Sequence, residues 1–357
     1  MNGILNTIKP AVRALRAYTL SPDRASVKIN QNENPWDAPA RIKDETLRRF
    51  SRRKWSRYPD FVPASLHERL AEFAGWKAEG VIAGNGSNEL IQALLMVTVS
   101  EGKRVLICEP TFALYRQITT VLGGEVGSIS LTPDLQYDIP TLQREIEKIQ
   151  PDVTIICSPN NPTGCAINDK DLVGLLRATH GIVVIDEAYH EFAGHSVVSL
   201  LQDYENLIVL RTFSKAMALA ALRVGYLLAA PELTREVGKA LLPYNLNAFS
   251  QTAAEVAVEM YEKELRPLVS RIISERERLF NELSGIEGLS PVASRANFMV
   301  VRSRVQPGQI FNALLQRDIL VRDVSRYPML SEYFRTSVGT PEENDQLIRA
   351  LREILAG

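Results

Sequence analysis

The sequence lacks an excess of charge of either sign. Its 357 residues carry 41 lysines and arginines against 42 acidic residues, which gives a formal net charge of −1 at pH 7. A nucleic-acid or membrane-surface partner usually requires a concentrated basic patch, so we expect neither partner. We interpret the one dense basic run, RRFSRRKWSR at 48–57, as a solvated face or a subunit contact rather than a polyanion site.

Cysteine is scarce, and the spacing of the cysteines does not match a metal site. Cys108, Cys157 and Cys165 are an odd number, and two of them lie in or beside apolar runs typical of strands. A buried free thiol is the common arrangement in such runs. A reducing, cytoplasmic environment suits these thiols best.

Long apolar runs are missing as well. No stretch approaches the roughly 18 apolar residues of a membrane-spanning helix, and charges interrupt the first 20 residues where a signal peptide would need an apolar segment. With 45% hydrophobic and 23% charged residues, the composition is typical of a soluble globular protein. The length suits two domains, or one large α/β domain with an appendage.

From about residue 80 the sequence alternates between strand and helix patterns. Continuous apolar strands of this kind are expected where helices cover both faces of a sheet. The pattern therefore predicts an α/β fold with a mostly parallel, doubly wound sheet. The predicted strands are GVIAG, RVLICEP, DVTIICSP, GIVVID, NLIVLR and VGYLLAA, and the helices between them include NELIQALLMVTV, FALYRQITTVL and DKDLVGLLRATHG.

Together with the patterns before and after this region, the alternation predicts three parts of the chain. Residues 1–30 form an N-terminal arm, residues 31–245 the large domain, and residues 246–357 a smaller C-terminal α+β domain. The last part begins with one long helix pattern over 250–283, in which we expect a bend at Pro267. The strands ANFMVVRS, ILVRDV and YFRTSVG then surround the helical QIFNALLQRD.

Polar residues gather where the predicted strands end. Ligands of open α/β sheets bind at the carboxyl ends of the strands. Four strands are followed there by GNGSN (84–88), PNNPTG (159–164), DEAY (186–189) and RTFSK (211–215). One edge of the sheet would thus receive a glycine-rich turn, two amides, a carboxylate with a tyrosine, and a lysine with hydroxyl groups.

Each of these features has an ordinary explanation when taken alone. The glycine turn can be a simple tight turn, NNPTG suits any turn, Asp186 can cap the next segment, and Lys215 can lie on the surface. The functional interpretation of the glycine turn is a phosphate held by backbone N–H groups and a helix dipole. Four such features on one edge favour a ligand site.

The combination matches the chemistry of pyridoxal phosphate. Its aldehyde requires a lysine amine, its ring nitrogen a carboxylate, and its phenolic oxygen an amide or a tyrosine hydroxyl. Its phosphate requires backbone N–H groups, hydroxyls and an arginine. Lys215, Asp186, Tyr189 and the turn at 84–88 are residues of these kinds.

The motifs resemble those of the fold-type-I aminotransferases, which depend on pyridoxal 5'-phosphate. Within this family the set is most similar to the branch that transfers the amino group of L-histidinol phosphate to 2-oxoglutarate. The resemblance implies the same transamination here, giving imidazole-acetol phosphate and L-glutamate in histidine biosynthesis. The matching stretches, in family order, are NQNENPWDAP (30–39), RYPD (57–60), GNGSNELI (84–91), EPTFALY (109–115), SPNNPTG (158–164), VIDEAYHEF (184–192), RTFSKAMALAALRVGY (211–226), RANFMV (295–300) and FRTSVGTPEEN (334–344).

The resemblance implies catalytic and ring-binding roles for five residues. Lys215 would form a Schiff base with the cofactor and later shuttle the substrate proton, for which it must be neutral. Asp186 would pair with the ring nitrogen. Asn161 and Tyr189 would donate to the phenolate oxygen, and Phe112 would stack on the ring.

The resemblance also implies the phosphate contacts and a homodimer. The phosphate would lie on the backbone amides of Ser87 and Asn88, beside the hydroxyl of Thr212 or Ser214 and the guanidinium of Arg223. The tyrosine of RYPD, Tyr58, would reach the cofactor phosphate of the partner subunit.

On the substrate side, the resemblance implies that Arg335 binds the carboxylate of glutamate or 2-oxoglutarate, for which a planar guanidinium is suited. Arg322 would be a second donor for the substrate phosphate, although a surface ion pair is the alternative. Tyr18 of the arm and Asn34 are further predicted substrate contacts.

Departures from the family pattern leave the substrate open. Alanines stand at 218 and 221, where the family commonly has glycines, and the arm reads RAYTLSPDRASVKI. The alternatives are an aromatic amino-acid aminotransferase and a threonine-phosphate decarboxylase, which share nearly the same fold. An NAD-dependent dehydrogenase is more distant, because Glu89 replaces the third glycine of its fingerprint. A non-catalytic relative is disfavoured by the complete cofactor set.

Overall fold

Thirteen β-strands and fourteen α-helices occupy residues 2–17 and 22–356, the parts of the chain that the computed structural model describes. The strands are β1 (Val27–Lys28), β2 (Val81–Gly84), β3 (Arg104–Glu109), β4 (Glu125–Ser130), β5 (Val153–Cys157), β6 (Ile182–Asp186), β7 (Leu207–Thr212), β8 (Gly225–Ala229), β9 (Leu289–Pro291), β10 (Phe298–Ser303), β11 (Ile319–Leu320), β12 (Arg322–Asp323) and β13 (Tyr333–Ser337). The helices are α1 (Asn2–Leu5), α2 (Pro10–Ala14), α3 (Ala40–Phe50), α4 (Ala64–Ala74), α5 (Ser87–Thr98), α6 (Leu114–Leu122), α7 (Ile139–Ile149), α8 (Asp169–Ala178), α9 (His190–Ala193), α10 (Pro231–Gly238), α11 (Ala248–Glu259), α12 (Arg266–Ser284), α13 (Pro307–Leu315) and α14 (Pro341–Ala356).

The central sheet has seven strands in the order β2-β8-β7-β6-β5-β3-β4. Strands β3 to β7 are parallel to one another, whereas β8 runs antiparallel to β7 and β2. The link from Thr212 to Gly225 contains no crossover helix, which the return to a parallel strand would require. The predicted α/β fold with a mostly parallel sheet is confirmed.

Helices cover both faces of this sheet, as the apolar strands predict. Successive side chains of a strand point to opposite faces, and those of β6 enter two separate cores. Val183 and Ile185 belong to one hydrophobic cluster, and Val184 belongs to the other. The edge strand β4 is absent from the sequence-based predictions because its residues are mostly half-buried or exposed and form no apolar run.

A second sheet, with the antiparallel order β12-β13-β10-β9, lies in the C-terminal third of the chain. The predicted single strand ILVRDV is wrong in detail, because it divides into β11 and β12, which belong to different sheets. Strand β11 pairs in parallel with β1. Val27 and Ile29 of the predicted arm thereby join the core beneath the second sheet.

The predicted long helix over 250–283 is interrupted. Helix α11 ends at Glu259, the segment Tyr261–Leu265 has π-helical hydrogen bonding, and α12 begins at Arg266. The break precedes Pro267 because proline has no N–H to donate, and it is best tolerated in the first turn of a helix. Ala254, Val256 and Ala257 of α11 share a core with the large sheet, and the same core includes Val300 and Val324 of the C-terminal part. The boundary at residue 246 therefore stays a prediction.

The prediction of buried free thiols is confirmed, because Cys108, Cys157 and Cys165 are all buried and unpaired. Among the helices of the described residues, none combines the length and the apolar content needed to cross a membrane.

Candidate active site

A cavity of about 290 Å³ opens where the carboxyl ends of the parallel strands meet the second sheet. Helix N-termini and strand ends converge there because the parallel strands of the doubly wound sheet end at this edge. Twelve of the predicted site residues line it: Ser87, Asn88, Phe112, Asn161, Asp186, Tyr189, Thr212, Ser214, Lys215, Arg223, Arg322 and Arg335.

Lys215 lies in the wall of this cavity, in the loop after β7. Its Nζ donates a hydrogen bond to the carbonyl oxygen of Gln31 at 2.9 Å and lies 5.8 Å from the centre of the Tyr189 ring. Burial, and then the positive charge of Arg335, lower the pKa of Lys215 to about 7. Near neutral pH a large fraction of this amine is therefore uncharged and nucleophilic.

Asp186 ends β6 at the floor of the cavity. Its Oδ2 accepts a hydrogen bond from the Tyr115 hydroxyl at 2.6 Å, and its Oδ1 accepts one from the Ala188 N–H at 3.0 Å. Burial raises the pKa of Asp186, while the bond from Tyr115 opposes this rise. A cation in the cavity would stabilise the ionised carboxylate.

The N-terminus of α5 and Arg223 form a binding region for an anion. Gly86 precedes the helix with φ +79°, and a Cβ atom there would lie 2.5 Å from Nη2 of Arg223. The Nη1 of Arg223 donates to Ser214 Oγ at 2.9 Å and to the Ala220 carbonyl at 3.0 Å. Free N–H groups and positive charge at a helix start are suited to a phosphate.

Two arginines of the second sheet face the same cavity. Arg322 on β12 and Arg335 on β13 are direct partners in the antiparallel pair, and side chains of such partners share one face of a sheet. Arg335 donates to Asn161 Oδ1 at 2.6 Å and to the Asn30 carbonyl at 2.8 Å. Like charges placed opposite each other repel, so an anionic ligand between them would relieve this repulsion.

The structure does not bring Tyr58 and Asn34, two further predicted residues, into the cavity wall. Tyr58 is 80% exposed and stacks on Tyr244, with ring centres 4.5 Å apart. Asn34 donates to the Ala216 carbonyl at 3.3 Å and accepts from the Trp36 N–H at 3.0 Å, so its amide holds the chain next to Lys215. Tyr18 lies outside the described residues.

Sequence reasoning missed several residues of the wall, among them Asn32, Tyr115 and Tyr327. Tyr115 belongs to EPTFALY, the motif that also contains Phe112, and this membership could have revealed it. Asn32 belongs to the motif at 30–39. No signal in the sequence points to Tyr327, because it lies in a loop between β12 and β13.

Comparison with known proteins decides the family. The model of the family "Aminotransferase class I and II" matches residues 25–351. The chain belongs to the class I and II aminotransferases. A curated relative, the histidinol-phosphate aminotransferase of Chlorobium limicola, is 37% identical over 354 residues, which cover 98% of this chain and 99% of the relative.

Two solved structures share the aminotransferase fold. That of histidinol-phosphate aminotransferase from Sinorhizobium meliloti, in complex with pyridoxal-5'-phosphate, has a TM-score of 0.88 at 23% identity and covers 98% of this chain and 97% of its own. That of L-threonine-O-3-phosphate decarboxylase from Porphyromonas gingivalis has a TM-score of 0.80 at 21% identity and covers 93% and 100%. At these identities the likeness establishes the fold alone. The family assignment itself excludes the dehydrogenase alternative.

Pyridoxal 5'-phosphate is the cofactor of this aminotransferase family, and the cavity fits it. The buried carboxylate of Asp186 is suited to the ring nitrogen, and the amine of Lys215 to the aldehyde. Gly86 leaves room for the guanidinium of Arg223 beside the helix start, where the phosphate would be held. Ala218 has φ +55°, a conformation that favours glycine, so the family's glycine at this position has a backbone reason.

We predict that Gly225→Ala weakens cofactor binding. A Cβ atom on Gly225 would overlap the backbone of Gly86 and Ser87 and lie 3.0 Å from the Arg211 carbonyl oxygen, so β8 would move away from the phosphate region. Overpacking costs about 1–3 kcal/mol, and we expect the Kd for pyridoxal phosphate to rise roughly tenfold or more.

Absorbance titration of the cofactor-free protein measures this Kd. Gly238→Ala is the matched control, because nothing lies within 4 Å of a Cβ atom placed on Gly238. Equal affinities for the cofactor in the Gly225→Ala and Gly238→Ala proteins would contradict the prediction.

Proposed function

We propose that this aminotransferase transfers the amino group of L-histidinol phosphate to 2-oxoglutarate, giving imidazole-acetol phosphate and L-glutamate. The observation that carries the proposal is the pair of guanidinium groups, Arg322 and Arg335, on the cavity wall opposite each other in β12 and β13. A phosphate monoester and a carboxylate can use the same cationic corner. The identity to relatives of this name over nearly the whole chain supports the same substrate.

We propose that the cofactor is held by its ring, its phosphate and its aldehyde carbon. Bound pyridoxal phosphate supplies an electron sink for the carbon that bears the amino group. Asp186 pairs with the ring nitrogen, Asn161 and Tyr189 donate to the phenolate oxygen, and Phe112 lies against the ring. The phosphate is bound by the N–H groups of Ser87 and Asn88, the hydroxyls of Thr212 and Ser214, and Arg223.

Lys215 has two tasks in this proposal. Its neutral Nζ would hold the aldehyde carbon of the cofactor, and when free of it the same amine would accept and return the proton of the substrate carbon that bears the amino group. A pKa of about 7, set by burial and by the charge of Arg335, suits both tasks because a base acts best when its pKa is near the working pH.

The substrate contacts in this proposal lie on the second sheet and near the N-terminus. Arg335 binds the carboxylate of glutamate and 2-oxoglutarate, and Arg322 adds a donor for the phosphate of the amino donor. Asn34 and Tyr18 remain predicted substrate contacts. The three buried thiols favour a cytoplasmic location, since that compartment keeps thiols reduced.

We also propose a homodimer in which Tyr58 reaches the phosphate of the partner's cofactor. The support is a set of exposed apolar side chains that includes Trp55 (78% exposed), Tyr58, Phe61 and Leu242 (75% exposed). Trp55 and Tyr58 line one groove, and Phe61 and Leu242 line another. Tyr244 joins the set by contacting both Tyr58 and Phe61. Monomeric proteins seldom expose such a patch.

An amino-donor panel tests the substrate. We expect L-histidinol phosphate to have a higher kcat/KM with 2-oxoglutarate than phenylalanine, tyrosine or threonine phosphate. Arg322→Gln should lower the value for histidinol phosphate about 10- to 100-fold, because a hydrogen bond to a charged group contributes about 1.5–3 kcal/mol. A higher kcat/KM with phenylalanine would favour the aromatic amino-acid alternative, and carbon dioxide release from threonine phosphate would favour the decarboxylase.

Borohydride trapping tests the attachment of the cofactor to Lys215. When the protein is mixed with pyridoxal phosphate and reduced, the rate of attachment should rise as the pH passes through about 7, because the amine loses its proton there. Peptide mass spectrometry should place the label on Lys215. Lys215→Ala should keep the fold and lose transamination by several orders of magnitude; a label on another lysine would overturn the assignment.

Sedimentation velocity tests the dimer. We expect the wild-type protein to sediment as a dimer and Leu242→Asp as a monomer with weaker cofactor affinity, since a carboxylate cannot be buried unpaired in an apolar interface. Met96→Asp is the control, because Met96 is also exposed but lies near the end of α5 that points away from the phosphate region. A monomeric wild-type protein would disprove the proposal.

A further inference from the structure

We propose that Asn32 is a positioning residue that turns the hydroxyl proton of Tyr189 into the cavity, toward the ligand oxygen that Tyr189 contacts. The inference rests on the proposed function, which assigns the hydroxyl of Tyr189 to the phenolate oxygen of the cofactor. It concerns the orientation of that hydroxyl, which family membership and motif do not specify.

Hydrogen bonds fix both the backbone and the side chain of Asn32. It is 1% exposed and lies between β1 and α3. Its backbone N–H donates to Ser337 Oγ at 2.8 Å, and its carbonyl accepts from Asn297 Nδ2 at 3.1 Å. Its side-chain Nδ2 donates to the Tyr189 hydroxyl oxygen at 3.1 Å. The side chain therefore has little freedom to leave Tyr189.

The hydrogen bonds with Ser337 set the orientation of the Asn32 amide. The hydroxyl oxygen of Ser337 already accepts the backbone N–H of Asn32, and its own proton is donated to Asn32 Oδ1 at 3.2 Å. With Oδ1 facing Ser337, the Nδ2 group faces Tyr189. Asn32 is thus a donor, not an acceptor, toward the Tyr189 hydroxyl.

A donor at this place determines where the Tyr189 proton points. A phenol O–H prefers the plane of its ring, so it has two favoured directions. The N–H of Asn32 occupies the acceptor side of the oxygen and would repel a proton pointing toward it, which leaves the direction into the cavity. The hydroxyl is thereby prepared as a donor before any ligand binds.

Packing fixes the ring of Tyr189, so what is left to orient is the hydroxyl proton, which rotates about the C–O bond. It is buried and makes an edge-on contact with Phe298, with centres 5.0 Å apart and planes at 81°. Burial also raises the pKa of Tyr189, which keeps the proton on the hydroxyl. Orientation, not ionisation, is therefore what a neighbour can control here.

The backbone explains why asparagine fits this position. Asn32 has φ +57°, a left-handed conformation that glycine, asparagine and aspartate adopt most readily. Among these, only asparagine can donate to Tyr189 and accept from Ser337 at the same time. Aspartate would keep the backbone and reverse the hydrogen bond, which makes it the informative substitution.

The test is a spectroscopic pH titration of the holoenzyme without substrate. In Asn32→Asp the carboxylate should accept the Tyr189 proton, so the cofactor oxygen keeps its proposed donor Asn161 and loses the donor Tyr189. We expect the pKa read from the absorbance of the lysine-bound cofactor to rise by about one unit, equivalent to about 1.4 kcal/mol, as in Tyr189→Phe. Asn32→Gly, which keeps the backbone conformation, should give a smaller rise.

A double variant separates proton orientation from added charge. If Asn32 acts through the Tyr189 proton, Asn32→Asp should add little to the shift in a Tyr189→Phe background. A full additional shift in that background would mean that the new carboxylate acts by charge alone and would overturn the proposal. An unchanged titration in folded Asn32→Gly would also overturn it.

Asn297→Ala is the matched control. Asn297 donates to the carbonyls of Asn32 and Glu33 and so holds the same segment, whereas the hydrogen bond to the Tyr189 hydroxyl comes from Asn32. It should leave the titration unchanged; a shift equal to that of Asn32→Asp would reduce Asn32 to a structural role. The titration uses no amino donor, so an unexpected donor preference would overturn the proposed substrate and leave this result intact.

Discussion

The buried ion pair between Glu187 and Arg211 determines how the ends of β6 and β7 sit beside each other. Arg211 Nε donates to Glu187 Oε2 at 3.0 Å, and both side chains lie almost fully inside the protein. Ser196 and the Val197 N–H complete the bonds of the carboxylate. An unpaired charge at this depth would be strongly destabilising, so the two strands hold one relative position.

The residues next to this ion pair face the cavity, because successive side chains of a strand point to opposite faces. Glu187 directly follows Asp186, and Arg211 directly precedes Thr212, so the ion pair lies behind the sheet edge while Asp186 and Thr212 face the cavity. The same loop that begins at Thr212 carries Lys215. The spacing of the Asp186 carboxylate, the Thr212 hydroxyl and the Lys215 amine therefore depends on an ion pair that does not line the cavity.

The segment from Val27 to Asn34 connects this edge to the second sheet. β1 pairs with β11, the carbonyls of Asn30 and Gln31 accept from Arg335 and Lys215, respectively, and Asn32 contacts Tyr189. Arg335 and Lys215 are cations within one enclosed space, and this proximity, added to burial, lowers the pKa of the lysine. The chemistry of the amine thus depends on the packing of two sheets from distant parts of the sequence.

Local sequence patterns predict the mostly parallel sheet and the residues at its carboxyl edge. Apolar runs identify strands without knowledge of their partners, and the polar residues after each run are local to it, as with Asp186 and Lys215. Long-range packing determines the splitting of ILVRDV between two sheets and the place of Asn34 outside the cavity wall. It also decided the pairing of Asn32 with Tyr189, 157 residues away. Contacts over such separations depend on how the sheets pack, and no local periodicity encodes them.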